Sequence, residues 1–342
     1  MFFKLTRSLQ PLPSPKVLFH LFDRLIKPIL LYGCEIWTPV SLAFRTSANV
    51  DTPNALFFNS LKHDFPIEYK FLEKTDPIEK LHLKFCRFVL GVHHKTANLA
   101  VYGETGRFPL YIDQLVQCMK YYQHLENTEN TLLKAFYHNL INNETGVREN
   151  SLVGFCESIA ITGGLNIPVK AGKRSIELFK KTARSRFSNY WFKLLNNDLS
   201  KRGEGGNKLR TYCQFKSHFR PEAYLTLPQF GLRQAIARLR TSAHRLRIET
   251  DRYAGRNRYI PPDQRICTNC QLGEPETESH FMTRCTAFTI ERTRLFDMVT
   301  STNVHFVKYN DWQKFLWLMV TEDLKAIQQV AKFIQTCMAL RK

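Results

Sequence analysis

Apolar residues recur at intervals of three and four along most of the chain, the spacing of one helical face. Behind Ser14 and Pro15, an N-cap and first helical position, the stripe Leu18, Leu21, Phe22, Leu25 and Ile26 predicts a core-facing helix. Pro28 should kink or end it, and residues 29–37 are expected to continue as a buried, aromatic-rich segment. Residues 39–75 lack a period and are expected to be a loop or insertion. Asp76 and Pro77 begin a second helix, with Glu79 in capping-box position, an apolar face of Ile78, Leu81, Phe85, Phe88 and Val89, and Gly91 as C-cap. Periodic stretches follow from Leu110 to Tyr122 and from Leu132 to Leu140, and residues 142–146 read as a turn or linker.

The same period persists beyond. Ile176, Phe179, Phe187, Tyr190, Trp191 and Leu194 form one stripe, residues 203–206 break the pattern, and Leu232, Ile236 and Leu239 form another. Asp311 and Trp312 open a short apolar helix through Leu318 and Met319. Residues 321–323 cap a last one whose stripe is Leu324, Ile327, Val330, Ile334 and Met338. Acid at its start and Arg341 at its end suit the helix dipole. With few strand signals and no internal repeat, the expected fold is mainly α. It is a helical bundle over 1–145, a basic helical linker over 146–260, and a small metal-binding module with closing helices over 261–342.

Composition changes this picture through charge. The 342-residue chain has a net charge of +19, a hydrophobic share of 44% and 26 Phe, enough apolar material for a sizeable core. Residues 170–258 hold 22 Lys and Arg against 6 Asp and Glu, so this quarter carries an excess of 16. A balanced run of charge is usually a solvated face, but here the compensating carboxylates are missing locally. Repulsion must then be offset by a polyanion, and nucleic acid is the expected partner. Arg233, Arg238, Arg240, Arg245, Arg247 and Arg252 are the candidate phosphate contacts. Phe215, Phe219, Tyr224, Tyr253 and Tyr259 interleave with the charges and can stack on bases, although more of them should be core. No apolar run reaches the roughly 20 residues that span a bilayer, so no membrane partner is expected. There is no signal-peptide pattern, and nine scattered cysteines suit a reducing compartment. The expected location is intracellular, nucleus or cytoplasm.

One motif carries strong chemistry. Cys267 and Cys270 are two residues apart, nine residues intervene before His280, and four more before Cys285. Three thiolates and one imidazole make a closed tetrahedral set with no position for a catalytic water, so a structural zinc ion is expected. Nine cysteines can place two at this spacing by chance, and a Cys-x-x-Cys can be a redox pair. The latter belongs beside a βαβ pattern, which this sequence lacks. A zinc deaminase would need a His-x-Glu and a Pro-Cys-x-x-Cys, and neither is present.

Other catalytic patterns are incomplete. A template-directed polymerase holds two metals on paired aspartates, and no Asp-Asp pair occurs. Pro262–Asp263 and Asp323–Lys325 lie too far apart for a restriction-like nuclease. Gly172–Lys173 is followed by Arg174, with Ile167 where a phosphate loop needs glycine. No catalytic residue is assigned.

Four blocks carry a resemblance. Residues 21–23 and 28–37, with Tyr32, Gly33 and Trp37, look like a thumb segment. Residues 82–92 and 101–107 look like the block after it. Residues 239–244, with Ile248, Glu249, Arg252 and Tyr253, look like the stretch leading into the cysteine motif, and 315–319 with the final helix like the closing helices. In this order they resemble the C-terminal part of the reverse transcriptase of LINE-class (non-LTR) retrotransposons. The resemblance implies a thumb and helical linker gripping RNA or an RNA–DNA hybrid, closed by a Cys-Cys-His-Cys zinc knuckle at Cys267, Cys270, His280 and Cys285. It leaves the fingers, the palm with its catalytic aspartates, and the endonuclease outside this sequence. The expectation is a non-catalytic nucleic-acid-binding fragment. An RNA-directed DNA polymerase remnant would instead incorporate nucleotides, and a domesticated protein-interaction module would self-associate.

Overall fold

A computed structural model of the chain describes residues 12–38, 76–142, 156, 172–200, 208–254 and 258–341. The loop expected over 39–75, the linker at 143–146 and the break at 203–206 lie outside them. The fold is mainly α. Among the described residues its helices include α1 (Pro15–Leu21), α2 (Pro77–Leu90), α3 (Asn98–Thr105), α4 (Leu110–Glu126), α5 (Thr131–Asn142), α6 (Gly172–Ser200), α7 (Tyr212–Phe215), α8 (Phe230–Arg240), α9 (Arg247–Thr250), α10 (Thr289–Thr302), α11 (Asp311–Val320) and α12 (Leu324–Leu340). Among the described residues, β structure is confined to a ribbon, β1 (Tyr253–Ala254) antiparallel to β2 (Arg258–Tyr259), and an isolated bridge between Ile266 and Pro275. No helix of the described residues is long and apolar enough to cross a membrane. The chain divides into two compact units that interleave along the sequence, whereas the hydropathy pattern suggests three consecutive stretches. One comprises Leu21–His82 and Phe108–Trp191, the other Met1–His20, Leu83–Arg107 and Phe192–Lys342.

In the first of these units, Pro28 has no N–H for the Arg24 carbonyl and its ring crowds that oxygen. The backbone widens into a π-turn, Phe22–Ile26, before a short α turn, Lys27–Leu30. The segment after it is amphipathic, which corrects the expectation of a buried run. Leu31 and Cys34 are buried, while Ile29, Tyr32 and Ile36 are 73%, 87% and 66% exposed. Together with the half-exposed Leu25 they follow helical spacing on the outer face. At the start of α2 the Asp76 carboxylate accepts the Ile78 N–H at 2.9 Å, and Glu79 has a longer reach. It is buried, pairs with His82 Nδ1 at 2.9 Å, and accepts the Leu110 N–H at 2.9 Å, satisfying an otherwise unpaired donor at the start of α4. On α6 the buried face is Ile176, Phe179, Ala183, Phe187 and Trp191. Tyr190 of the expected stripe is only half-buried. Burial pushes the Cys34 thiol up to about 12, and Cys118 rises in the same way, so both behave as small apolar groups.

The second unit is organised on α8 and α12, which pack against each other. Leu232, Ile236 and Leu239 of α8 are buried as the period predicts, as are Ile327, Val330 and Ile334 of α12. Each such aliphatic side chain contributes about 1.5–3 kcal/mol on full burial. Asp323 caps α12 by accepting the Ala326 N–H at 2.7 Å, and Asn310 with Gln313 forms the capping box of α11. The Phe281 ring centroid lies 5.4 Å from that of Phe288 and 5.8 Å from that of Phe333, fastening the cysteine-bearing segment to α12. Gly91 ends α2 at φ +66°, and the Val92 N–H reaches the Arg87 carbonyl, a Schellman closure. A Cβ at Gly91 would lie 2.5 Å from Gln234 Nε2 and 2.7 Å from Phe230 Cζ, so α8 approaches this turn as only glycine allows.

Candidate metal centre and basic surface

The metal site is built on an extended return of the chain. The Cys267 N–H donates to the Glu274 carbonyl at 2.8 Å and the Glu276 N–H to the Arg265 carbonyl at 2.9 Å. The turn between them presents Cys267 and Cys270 to one side. Thr277 then starts the returning helical segment, its hydroxyl accepting the His280 N–H at 3.0 Å. The π-turn His280–Arg284 follows, and the Cys285 N–H bonds the His280 carbonyl at 2.8 Å. That wider turn carries Cys285 back beside His280.

The ligand atoms of Cys267, Cys270, His280 and Cys285 all lie within 4.8 Å of one another. Cys267 Sγ and Cys285 Sγ are 3.9 Å apart, and Cys270 Sγ is 3.4 Å from His280 Nε2. Sulfur atoms on a tetrahedral ion with bonds of about 2.3 Å would be about 3.8 Å apart, so the four residues fit such an ion and can hold a metal. Burial pushes the Cys285 thiol up to about 12 and raises Cys267 as well. Only a cation at the centre makes thiolates favourable there. His280 Nδ1 pairs with Glu274 at 3.1 Å, which directs Nε2 at the centre and fixes the tautomer a ligand needs.

Glu274, Glu276 and Glu278 alternate along the extended segment, and each holds a different element. Glu274 takes His280 and Arg284. Glu276 takes Arg341 in a two-point bond at 2.8 and 2.7 Å, together with the Arg247 N–H at 2.7 Å. Glu278 takes Arg210, Thr211 and His244. Burial alone would raise the Glu278 carboxyl, but Arg210 and then His244 hold it down at about 2. The period-2 spacing of these carboxylates was a sequence signal for an extended, multiply anchored segment, and composition and helical periodicity pass over it.

The six candidate arginines separate. Arg240 is fully buried, bonding both carboxylate oxygens of Glu104 at 2.9 and 3.0 Å and Glu222 at 2.9 Å, with its guanidinium 4.6 Å from the Phe215 ring. Arg233 is 1% exposed and donates to the Leu227 and Pro228 carbonyls. Arg247 pairs with Asp251, and Arg252 with Glu249. Arg233 and Arg240 are therefore structural members of α8 rather than surface contacts, because both side chains are buried, although Nε and Nη2 of Arg233 meet no acceptor there. Phe215 and Tyr224 are core residues and offer no stacking face. Arg238 and Arg245 remain. Both are exposed, Arg238 donates only Nε to the Gly91 carbonyl at 3.0 Å, and neither meets a carboxylate among the described residues. Desolvation lowers the Arg238 guanidinium from its ordinary value, and the nearby charge of Arg245 adds to it. No protein-family model, curated protein or solved structure matches the chain.

Proposed function

We propose that this chain is a non-catalytic nucleic-acid-binding protein, related to the C-terminal part of LINE-class reverse transcriptases, that grips RNA or an RNA–DNA hybrid through its basic helical surface. Cys267, Cys270, His280 and Cys285 hold a structural zinc ion that keeps the adjoining wall of that surface rigid. The observation that carries the reading is the pair Arg238 and Arg245, exposed and without carboxylate partners among the described residues, in a chain of net charge +19. The compensation these cations lack internally is what a phosphate backbone supplies. Lys208 Nζ reaches the Lys95 carbonyl at 3.4 Å, which brings a further cation beside the loop after α2.

The test is binding of purified protein to structured RNA and to duplex DNA across a salt series, with metal content measured on the same sample. The expected result is one zinc per chain and a steep loss of affinity with salt, whose slope falls by about two in Arg238→Ala/Arg245→Ala. A folded protein that binds neither nucleic acid at low salt would sink the reading.

A further inference from the structure

Arg238 and Arg245 stand on the wall of a groove of about 950 Å³ in the second unit, formed by the loop after α2, by α8 and by α12. Its composition is layered. The floor is apolar, from Val92, Leu239, Ile334 and Met338, and the side-chain amides of Gln234 and Gln335 line it. The rim holds Arg238, Arg245 and the exposed imidazoles of His93 and His94, whose ring centroids are 3.9 Å apart. Among the described residues, no Asp or Glu lines it. His93 is lowered from its ordinary value by slight desolvation and then by His94, Lys95 and Lys208, which places the imidazole pair in a positive field.

An inorganic anion would need the cations but not the apolar floor. An apolar ligand would need the floor but not the unpaired charge. A nucleotide uses both, because its base has an apolar face and a hydrogen-bonding edge while its phosphate is an anion. The bases of a duplex are stacked inside, so a duplex can offer such a groove only its backbone. The volume lies at the upper end of the range that encloses small ligands, room for a short unstacked stretch of strand.

We propose that this groove is a single-strand site: an unstacked RNA or DNA segment lies along it, with phosphates at Arg238 and Arg245, a base against the His93–His94 pair, and base edges at Gln234 and Gln335. The inference rests on the nucleic-acid reading above and locates it. Histidine rings serve as stacking platforms for unpaired bases, and glutamine amides match base edges. Arg341, also on the wall, is clamped by Glu276 of the metal loop, and His244 by Glu278, so the centre stiffens this side of the groove.

The experiment compares fluorescence anisotropy of a labelled oligouridylate of about ten nucleotides, the scale of one binding site, with that of a duplex. The variants are Arg238→Gln/Arg245→Gln and Ala235→Trp, the latter placing an indole in the groove without removing charge. Thermal melts verify folding, Arg238→Lys/Arg245→Lys tests rescue, and polyglutamate serves as a competitor of like charge. The single strand should bind about tenfold more weakly to both variants and recover with lysine, while Ala235→Trp changes duplex binding by less than about twofold. Equal loss for strand and duplex in Ala235→Trp, no loss in that variant, or displacement by polyglutamate as readily as by oligouridylate overturns the groove assignment and leaves nucleic-acid binding in place. Absence of binding to either nucleic acid by the folded wild type removes both.

Discussion

Along residues 274–278 every glutamate meets a cation, whereas α8 and its following turn carry two cations that meet no carboxylate among the described residues. The metal loop uses charge to fasten itself: Glu276 bonds Arg341 and Glu278 bonds Arg210, with both carboxylates buried. Helix α8 uses charge in two ways on two faces. Arg240 faces inward onto Glu104, a residue 136 positions earlier, and Arg238 faces outward with Arg245. Net charge alone cannot distinguish these uses. A buried arginine whose donors are filled belongs to the fold, and an exposed one that repels its neighbour is the part left for a partner.

The largest break in this comparison is loss of the metal that the proposed function places at Cys267, Cys270, His280 and Cys285. Chelation, or Cys285→Ser, should cost roughly 5 kcal/mol and slacken the Glu276 and Glu278 clamps together. An unchanged thermal melt in protein verified to be metal-free would show that the loop holds itself. Next in size, Arg240→Ala leaves the Glu104 carboxylate buried without its main partner and should destabilise by about 3–5 kcal/mol in denaturant unfolding. A cost below about 1 kcal/mol would remove the inward role assigned to Arg240.

The same pair sharpens the comparison through pH. Burial pushes the Glu104 carboxyl up, but Arg240 and Lys216 pull it below its ordinary value of 4.5 in the folded protein. A carboxyl depressed on folding contributes stability that is complete above the unfolded value and is lost as pH falls through the folded one. Unfolding free energy should therefore decline below about pH 4.5, and Glu104→Gln should flatten that decline. An identical slope in the variant would assign the acid sensitivity elsewhere. The smallest expected effect is the most telling: Arg238→Ala and Arg245→Ala should change stability by no more than about 0.5 kcal/mol, since neither side chain holds the fold together. A larger loss in either would place it with Arg240.

Much of the helical framework was legible. The stripe Leu232, Ile236 and Leu239 is the buried face of α8, Asp323 caps α12, and Gly91 closes α2, because local spacing and capping chemistry suffice for each. Residues 29–37 were misread, since apolar composition does not reveal which side of a helix the rest of the chain covers. Glu79 has the spacing of a local cap, and the spacing does not reveal that it also serves α4, 31 residues away. The reading of residues 170–258 as uncompensated rested on a window that excludes Glu104 and Glu278, the carboxylates that come to Arg240 and Arg210 from outside it.

By itself the sequence determined the helical class, the main apolar faces and the four residues of the candidate metal centre. Periodicity, capping and a Cys-x-x-Cys turn act over a few residues, and His280 and Cys285 follow within one short loop. Only the tertiary structure decided which arginines are interior, that the carboxylates of Glu276 and Glu278 are clamps, and that Arg238 and Arg245 share a groove with His93 and His94. Those outcomes depend on which distant groups approach within about 3–4 Å, where a guanidinium is either desolvated and satisfied or left to water.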